Sequence, residues 1–303
     1  MSFIPVLVAL SASLLTPSSV TAADWRTEVL EWRHEREAEL KKAEGWLSVA
    51  GLFFLKPGPN PVGSSAAATV SLPSGAPSEA GRFLFENGAV RYEPAPGVGA
   101  LLNDRPVTGS VTLLPADPKT ERPADRLTIG ALLLQLHYSG ARLGVRLRDP
   151  DSTYRRHFSG LQWFSLDAGW RLNGRFIAYD TPRAVQIQNV LGDVDEVTSP
   201  GEVEVRIGAS TVRLVALQAS KGRLWIVFSD ASAEKETYRI RYLYTNPPDA
   251  NGDVVVDFNR AYNPPCAFNP HTTCPLPPRQ NRLTLSVPAG ERKYAGPLAP
   301  TAN

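Results

Sequence analysis

Residues 127–138 (LTIGALLLQLHY) and 143–147 (LGVRL) are two apolar runs on either side of a short segment that contains Gly140. Runs of this length and composition are typical of β-strands. Similar runs recur from Trp46 onward, and clusters rich in Gly, Pro, Asn and Asp separate them at intervals of roughly 8–12 residues. The pattern therefore predicts a mainly β fold, built from sandwich or barrel-like domains.

Two β-rich stretches are separated by residues 148–167, which are polar at first and aromatic later. We place the boundary near Pro150, so that residues 46–150 form a first β-domain and residues 151–296 form a second one packed against it. The chain has 303 residues, of which 43% are hydrophobic, and this is enough apolar material for a sizeable core. No repeat of fixed period is visible, which disfavours a propeller or a solenoid.

Residues 24–45 (DWRTEVLEWRHEREAELKKAEG) predict one amphipathic helix ahead of the β-domains. Its large apolar residues fall near one stripe at helical spacing, namely Trp25, Val29, Trp32 and Leu40. We expect this stripe to pack on a sheet and Gly45 to end the helix.

Residues 1–23 predict a cleaved signal peptide. Residues 3–15 form an apolar run that is too short to span a bilayer, and small residues follow it up to Ala22 and Ala23. No later stretch approaches the roughly 18 apolar residues of a membrane span, so we expect no transmembrane anchor after processing. The sequence thus predicts an exported protein, periplasmic or extracellular.

The charge balance argues against a nucleic-acid partner. The chain carries 32 Lys and Arg against 30 Asp and Glu, whereas phosphate binding needs a concentrated excess of cations. No phosphate loop, dinucleotide fingerprint, Gly-x-Ser-x-Gly or His-Glu-x-x-His motif is present, so we expect no cofactor and leave open whether the protein is an enzyme.

Four motifs are unusual in combination: residues 45–55 (GWLSVAGLFFL), 142–149 (RLGVRLRD), 257–281 (with DFNRAYNPPCAFNP and CPLPP) and 289–294 (AGERKY). Together they resemble the bacterial domain of unknown function family numbered 1684, and the resemblance runs from about Trp25 to Tyr294, the whole mature chain. The family implies no established activity and no cofactor.

A second resemblance lies in the first β-domain, where the order of glycines, serines and Asn103 is similar to a forkhead-associated domain. That family reads phosphothreonine with an Arg, a His and a Gly. Ser64, Gly81 and Asp104 stand at those positions here. The resemblance implies a β-sandwich scaffold without phosphopeptide binding, because the charge-matched Arg is missing.

Cys266 and Cys274 are the only cysteines, and in an exported protein two cysteines this close predict a disulfide. An alternative makes zinc ligands of both thiols and His271, with Asp257 or Glu291 as the fourth. Free thiols are the third possibility.

Asp257, Asn259, Tyr262 and Asn263 follow the apolar strand of residues 254–256. Carboxylate and amide groups at a strand end either bind a ligand or satisfy backbone groups in an irregular loop. An enzymatic version pairs Asp257 with Glu291 as acid and base for hydrolysis, with His271 assisting.

Arg142, Arg146 and Arg148 differ by even steps on one predicted strand, so they share a face, and Asp149 follows them. This face is either a solvated ladder or an anion-binding patch.

We therefore expect a ligand-binding or accessory module of the cell envelope, with a small-molecule or envelope ligand near residues 257–274. A hydrolase and a structural subunit of an envelope complex are the alternatives.

Overall fold

The computed structural model describes residues 22–117 and 120–296. Residues 1–21 of the predicted signal peptide lie outside the described residues. The helices are α1 (Ala22–Lys41) and the short α2 (Thr153–Arg156). The strands of the first half of the chain are β1 (Val49–Phe54), β2 (Gly58–Gly63), β3 (Val70–Ser71), β4 (Gly81–Glu86), β5 (Ala89–Pro94), β6 (Ala100–Leu102), β7 (Arg105–Pro106), β8 (Val111–Leu113), β9 (Leu127–Ile129), β10 (Leu132–Ser139) and β11 (Arg142–Arg148). Those of the second half are β12 (Arg171–Gln188), β13 (Val194–Ile207), β14 (Ser210–Gln218), β15 (Leu224–Phe228), β16 (Arg241–Thr245) and β17 (Asp253–Asp257).

Helix α1 begins two residues before the predicted start and ends four residues before the predicted end at Gly45. The chain leaves the helix through two turns, in which Lys42 N–H donates to Glu39 O and Gly45 N–H donates to Lys42 O. Gly45 lies so close to the last helical turn that a Cβ would be 2.5 Å from Glu39 O, so only glycine fits there. The helix therefore ends before Gly45, because the backbone at Gly45 passes in close contact with the last helical turn.

Two antiparallel sheets from residues 49–148 form a β-sandwich. One has the strand order β1-β11-β10-β9-β6-β7 and the other β3-β2-β4-β5-β8, in which only β2 and β3 pair in parallel. Alternate side chains of both sheets meet in one core, where Phe83 and Tyr92 of the smaller sheet pack with residues such as Leu134 and Val145 of the larger. The sandwich lies within residues 46–150.

A third sheet from residues 171–257 has the order β16-β15-β14-β13-β12-β17, with every pair antiparallel. Its two edge strands, β16 and β17, also contact each other, so the sheet curves around its own core. That core includes Phe228 and Phe258, whose rings lie 5.5 Å apart. The predicted mainly β fold behind an N-terminal helix is confirmed.

The sandwich and the third sheet are joined at the turn between β12 and β13. Asp193 accepts hydrogen bonds from Ser139 Oγ at 2.6 Å and from Arg142 Nε at 2.8 Å. Asn189 Nδ2 also donates to Ser139 Oγ, at 2.8 Å. Neither helix within the described residues has the length and apolarity needed to cross a membrane. The domain limits at residues 46–150 and 151–296 remain a prediction.

Candidate functional site

The buried face of helix α1 packs on the segment that follows β17. Trp25, Val29 and Leu40 of the predicted stripe are buried, and Trp32 is partly buried. Trp25 Nε1 donates to Asp257 Oδ2 at 2.7 Å, and Asp257 Oδ1 accepts from the backbone and side chain of Asn259. Both carboxylate oxygens of Asp257 are therefore occupied by neighbours within the fold.

Glu291 is fully buried and is also saturated with hydrogen bonds. Its Oε2 accepts from Arg36 Nε at 2.9 Å, and its Oε1 accepts from Asn263 Nδ2 at 2.8 Å. Arg36 in addition donates to the backbone oxygen of Asn263 at 2.6 Å and lies 4.2 Å above the ring of Tyr262. Burial raises the pKa of Glu291, and its ion pair with Arg36 opposes that shift.

Arg33 is a second buried arginine on the same helix face. It donates to the backbone oxygens of Phe164 and Asn259 and stacks on Trp163, with its guanidinium carbon 4.6 Å from the ring centre. Asn259 completes this contact by exchanging two hydrogen bonds with the backbone of Asp167. The segment after β17 is thus held by side chains of the helix.

The structure does not assemble the acid–base set predicted for a hydrolase. Asp257 is bound to Trp25 and Glu291 to Arg36, which lies about three turns further along α1. Each carboxylate is therefore engaged by a different helix residue. His271 contacts neither carboxylate within the described residues; its Nε2 lies 3.4 Å from the hydroxyl of Tyr154. The three groups occupy three different environments.

Cys266 and Cys274 are free thiols, so the predicted disulfide is absent from the structure. They are nevertheless neighbours, and Cys266 N–H donates to Cys274 Sγ at 3.2 Å. The hydrogen bond to Cys274, together with burial, raises the pKa of the Cys266 thiol. Across the described residues, no three His, Cys, Asp or Glu side chains converge as a metal site, so His271 does not join the two thiols in this structure.

The three arginines of β11 share a face, as predicted, and this face lies against the second half of the molecule. Arg142 pairs with Asp193, and Arg148 donates to Gln135 Oε1 at 2.8 Å and to Glu44 O at 3.1 Å. Asp149 binds none of the three and accepts instead from Asp151 N–H. The face is therefore solvated at Arg142, which is exposed, and covered at Arg146 and Arg148.

The forkhead-associated landmarks have packing roles. Ser64 Oγ donates to Ala76 O at 2.9 Å. Gly81 has a φ of 141°, and a Cβ there would be 2.3 Å from Glu93 O. Asp104 lies in a turn with a φ of 65°. None of these positions supplies a cation for phosphate.

An aromatic cleft lies beside the buried helix face, between α1, the segment around Trp46 and the strands β15 and β16. It consists of three adjoining cavities of about 350, 310 and 350 Å³, all of which Arg36 lines. The aromatic residues that line it are Trp32, Trp46, Trp225, Tyr242, Tyr244 and Tyr262. Tyr262 is the only one of these that the sequence singled out as a binding residue.

The rings of the aromatic cleft form a continuous platform. Tyr244 stacks on Trp225 with 6.1 Å between ring centres and on Tyr262 with 6.4 Å, both nearly parallel. Tyr242 meets Trp225 and Tyr262 edge-on. Tyr244 is 37% exposed, so the platform is open to solvent along one edge. Planar or apolar ligand groups find a stacking surface here.

Three side chains at this cleft carry buried N–H groups without an acceptor among the described residues. They are Trp225 Nε1, Arg223 Nε and Arg146 Nε. Trp225 and Arg223 line the cleft directly, and the guanidinium of Arg146 lies 5.2 Å from the ring of Trp46. Buried donors without acceptors are rare and costly in folded proteins.

Sequence reasoning missed Arg36, Arg223, Trp225 and Tyr244. Arg36 lies on the helix face that also carries Trp32 and Leu40, so its position was open to inference from helical spacing. The β15 and β16 residues carried no comparable signal, because their outward face becomes a cleft only when α1 and Trp46 cover it.

Residues 156–292 match the model of a family described as "Protein of unknown function (DUF1684)". The predicted resemblance is confirmed over this range, which contains the motif of residues 257–281, and it remains a prediction for the chain before residue 156. The comparison with curated proteins finds no match.

Among solved structures, the chain is similar to the solution NMR structure of an uncharacterized protein from gene locus rrnAC0354 of Haloarcula marismortui. The two sequences are 27% identical over 46% of this chain and 78% of that one, with a TM-score of 0.39. A TM-score this low supports no argument about shared function.

Proposed function

We propose that this protein is a ligand-binding module and that its site is the aromatic cleft. The observation that carries the proposal is the coincidence of an open aromatic platform with buried N–H donors that have no acceptor. Ligand sites typically combine apolar walls with a few unsatisfied polar groups. The cavity of about 310 Å³ next to Trp46 and Trp225 is of the size that holds a small molecule.

The proposal keeps the sequence-based expectation that this is an exported module of the cell envelope. That expectation depends on the apolar run of residues 3–15. In an oxidising compartment the neighbouring thiols of Cys266 and Cys274 would be in place to form the expected disulfide, which thiol counting on purified protein tests directly.

The test is a thermal-shift screen of envelope glycans, lipids and small organic anions, followed by affinity measurements on any compound that raises the melting temperature. We expect Tyr244→Ala to weaken binding at least tenfold, because it removes the exposed ring of the platform. Tyr138→Ala is the matched control, since Tyr138 is an exposed strand tyrosine of the sandwich, outside the cleft. The proposal fails if no compound stabilises the protein, or if binding is insensitive to Tyr244.

The alternatives predict different outcomes. A hydrolase that uses Asp257 would lose turnover of an identified substrate in Asp257→Asn, whereas the contacts of Asp257 predict a loss of stability instead. A structural subunit would be extracted in a stable complex and would show no affinity for small molecules.

A further inference from the structure

The unpartnered polar groups at the aromatic cleft are all donors. Trp225 Nε1, Arg223 Nε and Arg146 Nε each offer an N–H, whereas the unpaired buried acceptor among the described residues, Asn263 Oδ1, does not line the cleft. A ligand that pairs with these N–H groups must therefore carry hydrogen-bond acceptors. Oxyanions are the acceptor groups that best match arginine.

Arg146 is the most unusual of these donors. It is 9% exposed, its Nε has no acceptor, and no ion pair among the described residues includes it. The other buried arginines have partners: Arg36 pairs with Glu291, Arg241 pairs with Asp230, and Arg33 donates to two backbone oxygens. A buried cation without a counter-charge costs several kcal/mol, so its retention calls for a partner.

The acceptors nearest to Arg146 are already used. Gln135 lies opposite Arg146 in the β10–β11 register, but its Oε1 accepts from Arg148. Glu44, which also lies near this face, forms a bidentate pair with Arg126. His137 Nε2 is engaged with Thr273 Oγ1 at 3.0 Å. These three side chains are thus engaged elsewhere, and none of them accepts a hydrogen bond from the guanidinium of Arg146.

Burial, with the nearby charge of Arg148, lowers the pKa of Arg146 to about 10 against the opposing effect of Cys274, so the side chain is still a cation at neutral pH. Trp46, which its guanidinium faces, lines the same cavity as Thr273 and Cys274. Arg146 therefore lies next to the aromatic cleft through its contact with Trp46, while Tyr244 lines the cleft directly at its solvent edge.

We propose that the ligand of the aromatic cleft is a small organic anion, whose carboxylate or phosphate binds Arg146 while its planar or apolar body lies on the Trp225–Tyr244 platform. This inference rests on the proposed binding function and narrows its ligand class.

The test compares indole-3-acetate with its neutral isostere indole-3-acetamide by isothermal titration calorimetry. In the wild-type protein we expect the acid to bind at least tenfold more tightly than the amide. In Arg146→Met we expect both probes to bind with the affinity of the amide. Arg175→Met is the control, because Arg175 is an exposed arginine on β12, away from the cleft, and should leave the preference intact.

Each outcome decides a different point. Equal affinity of acid and amide in the wild-type protein overturns the anion proposal and leaves the binding function standing. A preference for the acid that survives in Arg146→Met also overturns it. If neither probe binds and no compound of the thermal-shift screen binds, the binding function itself fails. Should Arg146→Met not fold, the NMR resonance of Arg146 Nε–H in wild-type protein replaces it; this resonance must shift with the acid and not with the amide.

Discussion

The buried face of helix α1 and the aromatic cleft beside it share Arg36, yet they differ in how far their polar groups are paired. On the buried face, the acceptors of Asp257 and Glu291 are each met by donors from the helix and from asparagines. In the cleft, the donors of Trp225, Arg223 and Arg146 meet no acceptor. The paired carboxylates mark the first region as scaffold, although Arg33 Nε and Asn263 Oδ1 there also lack a partner. The second region differs because its unpaired donors lie beside an open aromatic platform, which marks it as a place for a ligand.

This difference shows why residue type alone is a poor guide to function. Asp257, Asn259, Asn263 and Glu291 are the groups that chemistry usually needs, and here each is committed to holding the helix or an irregular loop. A buried polar group stabilises only when it is fully paired, and a network like this one loses much when one member is removed.

The largest effect is expected for Arg36→Met. This change leaves the buried Glu291 without its counter-charge, so we expect the free energy of unfolding to fall by about 3–5 kcal/mol, measured by chemical denaturation. Arg26→Met, at an exposed position on the same helix, is the control and should change it by less than about 0.5 kcal/mol. Adding Glu291→Gln to Arg36→Met should recover part of the loss. A loss below about 1 kcal/mol would mean that the buried face is not held by this pair.

Trp25→Phe keeps most of the ring and removes the donor to Asp257. We expect a loss of about 1.5–3 kcal/mol, the value of a hydrogen bond to a charged group. Trp170→Phe is the matched change, because Trp170 packs edge-on against Phe258 without a described hydrogen bond from its indole nitrogen. Equal losses in the two variants would show that packing, and not the bond to Asp257, decides the effect.

His137 lies near Arg146 and Arg148, so its protonation tests the region of the unpaired donors. Burial, reinforced by the charges of Arg146 and Arg148, lowers the pKa of His137 to about 3. The unfolded chain takes up this proton near pH 6.5, so stability is lost as the pH falls from there toward 3. At pH 5 the loss is about 2 kcal/mol. His137→Gln should remove it, whereas His34→Gln, on the exposed face of α1, should not. Identical stability profiles for wild type and His137→Gln between pH 7 and pH 5 would contradict the assignment.

The smallest effect, and one of opposite sign, is expected for Arg146→Met in the absence of ligand. Methionine fills similar space without an unpaired charge, so the free energy of unfolding should rise by about 1 kcal/mol. The measurement is again chemical denaturation, run beside Arg36→Met. A clear loss of stability would place Arg146 with the scaffold arginines.

Much of the fold was predictable because strand patterns are local. The apolar runs of residues 127–138 and 143–147 predicted strands, and the structure has β10 and β11 there, paired with each other. The end of α1 was not predictable, because Gly45 is set by a close approach to Glu39 that no local pattern encodes. The buried arginines were missed for a similar reason: Arg33 and Arg36 look like a solvated helix face until Trp163, Tyr262 and Glu291 are placed against them.

The candidate site was predictable only in part. The segment of residues 257–263 does contact Trp25 and Glu291, which the sequence also singled out, and Tyr262 does line the cleft. The sequence does not show which charged residues form pairs. Arg142, Arg146 and Arg148 are equivalent by spacing, and only the surrounding elements leave Arg146 as the unpaired one. The cysteines are a further case, since proximity in sequence predicted a bond where the structure has two adjacent thiols.

The docking of helix α1 has a consequence for the order of folding. Its partners lie far along the chain, Asp257 at a separation of 232 residues from Trp25 and Glu291 at 255 residues from Arg36. At roughly 5–20 residues per second, the ribosome delivers those partners about 10–50 s after the helix. During that interval the sandwich can close on its own local contacts, but the helix has no counter-charge and no surface to cover. We therefore expect α1 to dock last, after the sheets have formed, and its docking to complete the folded structure.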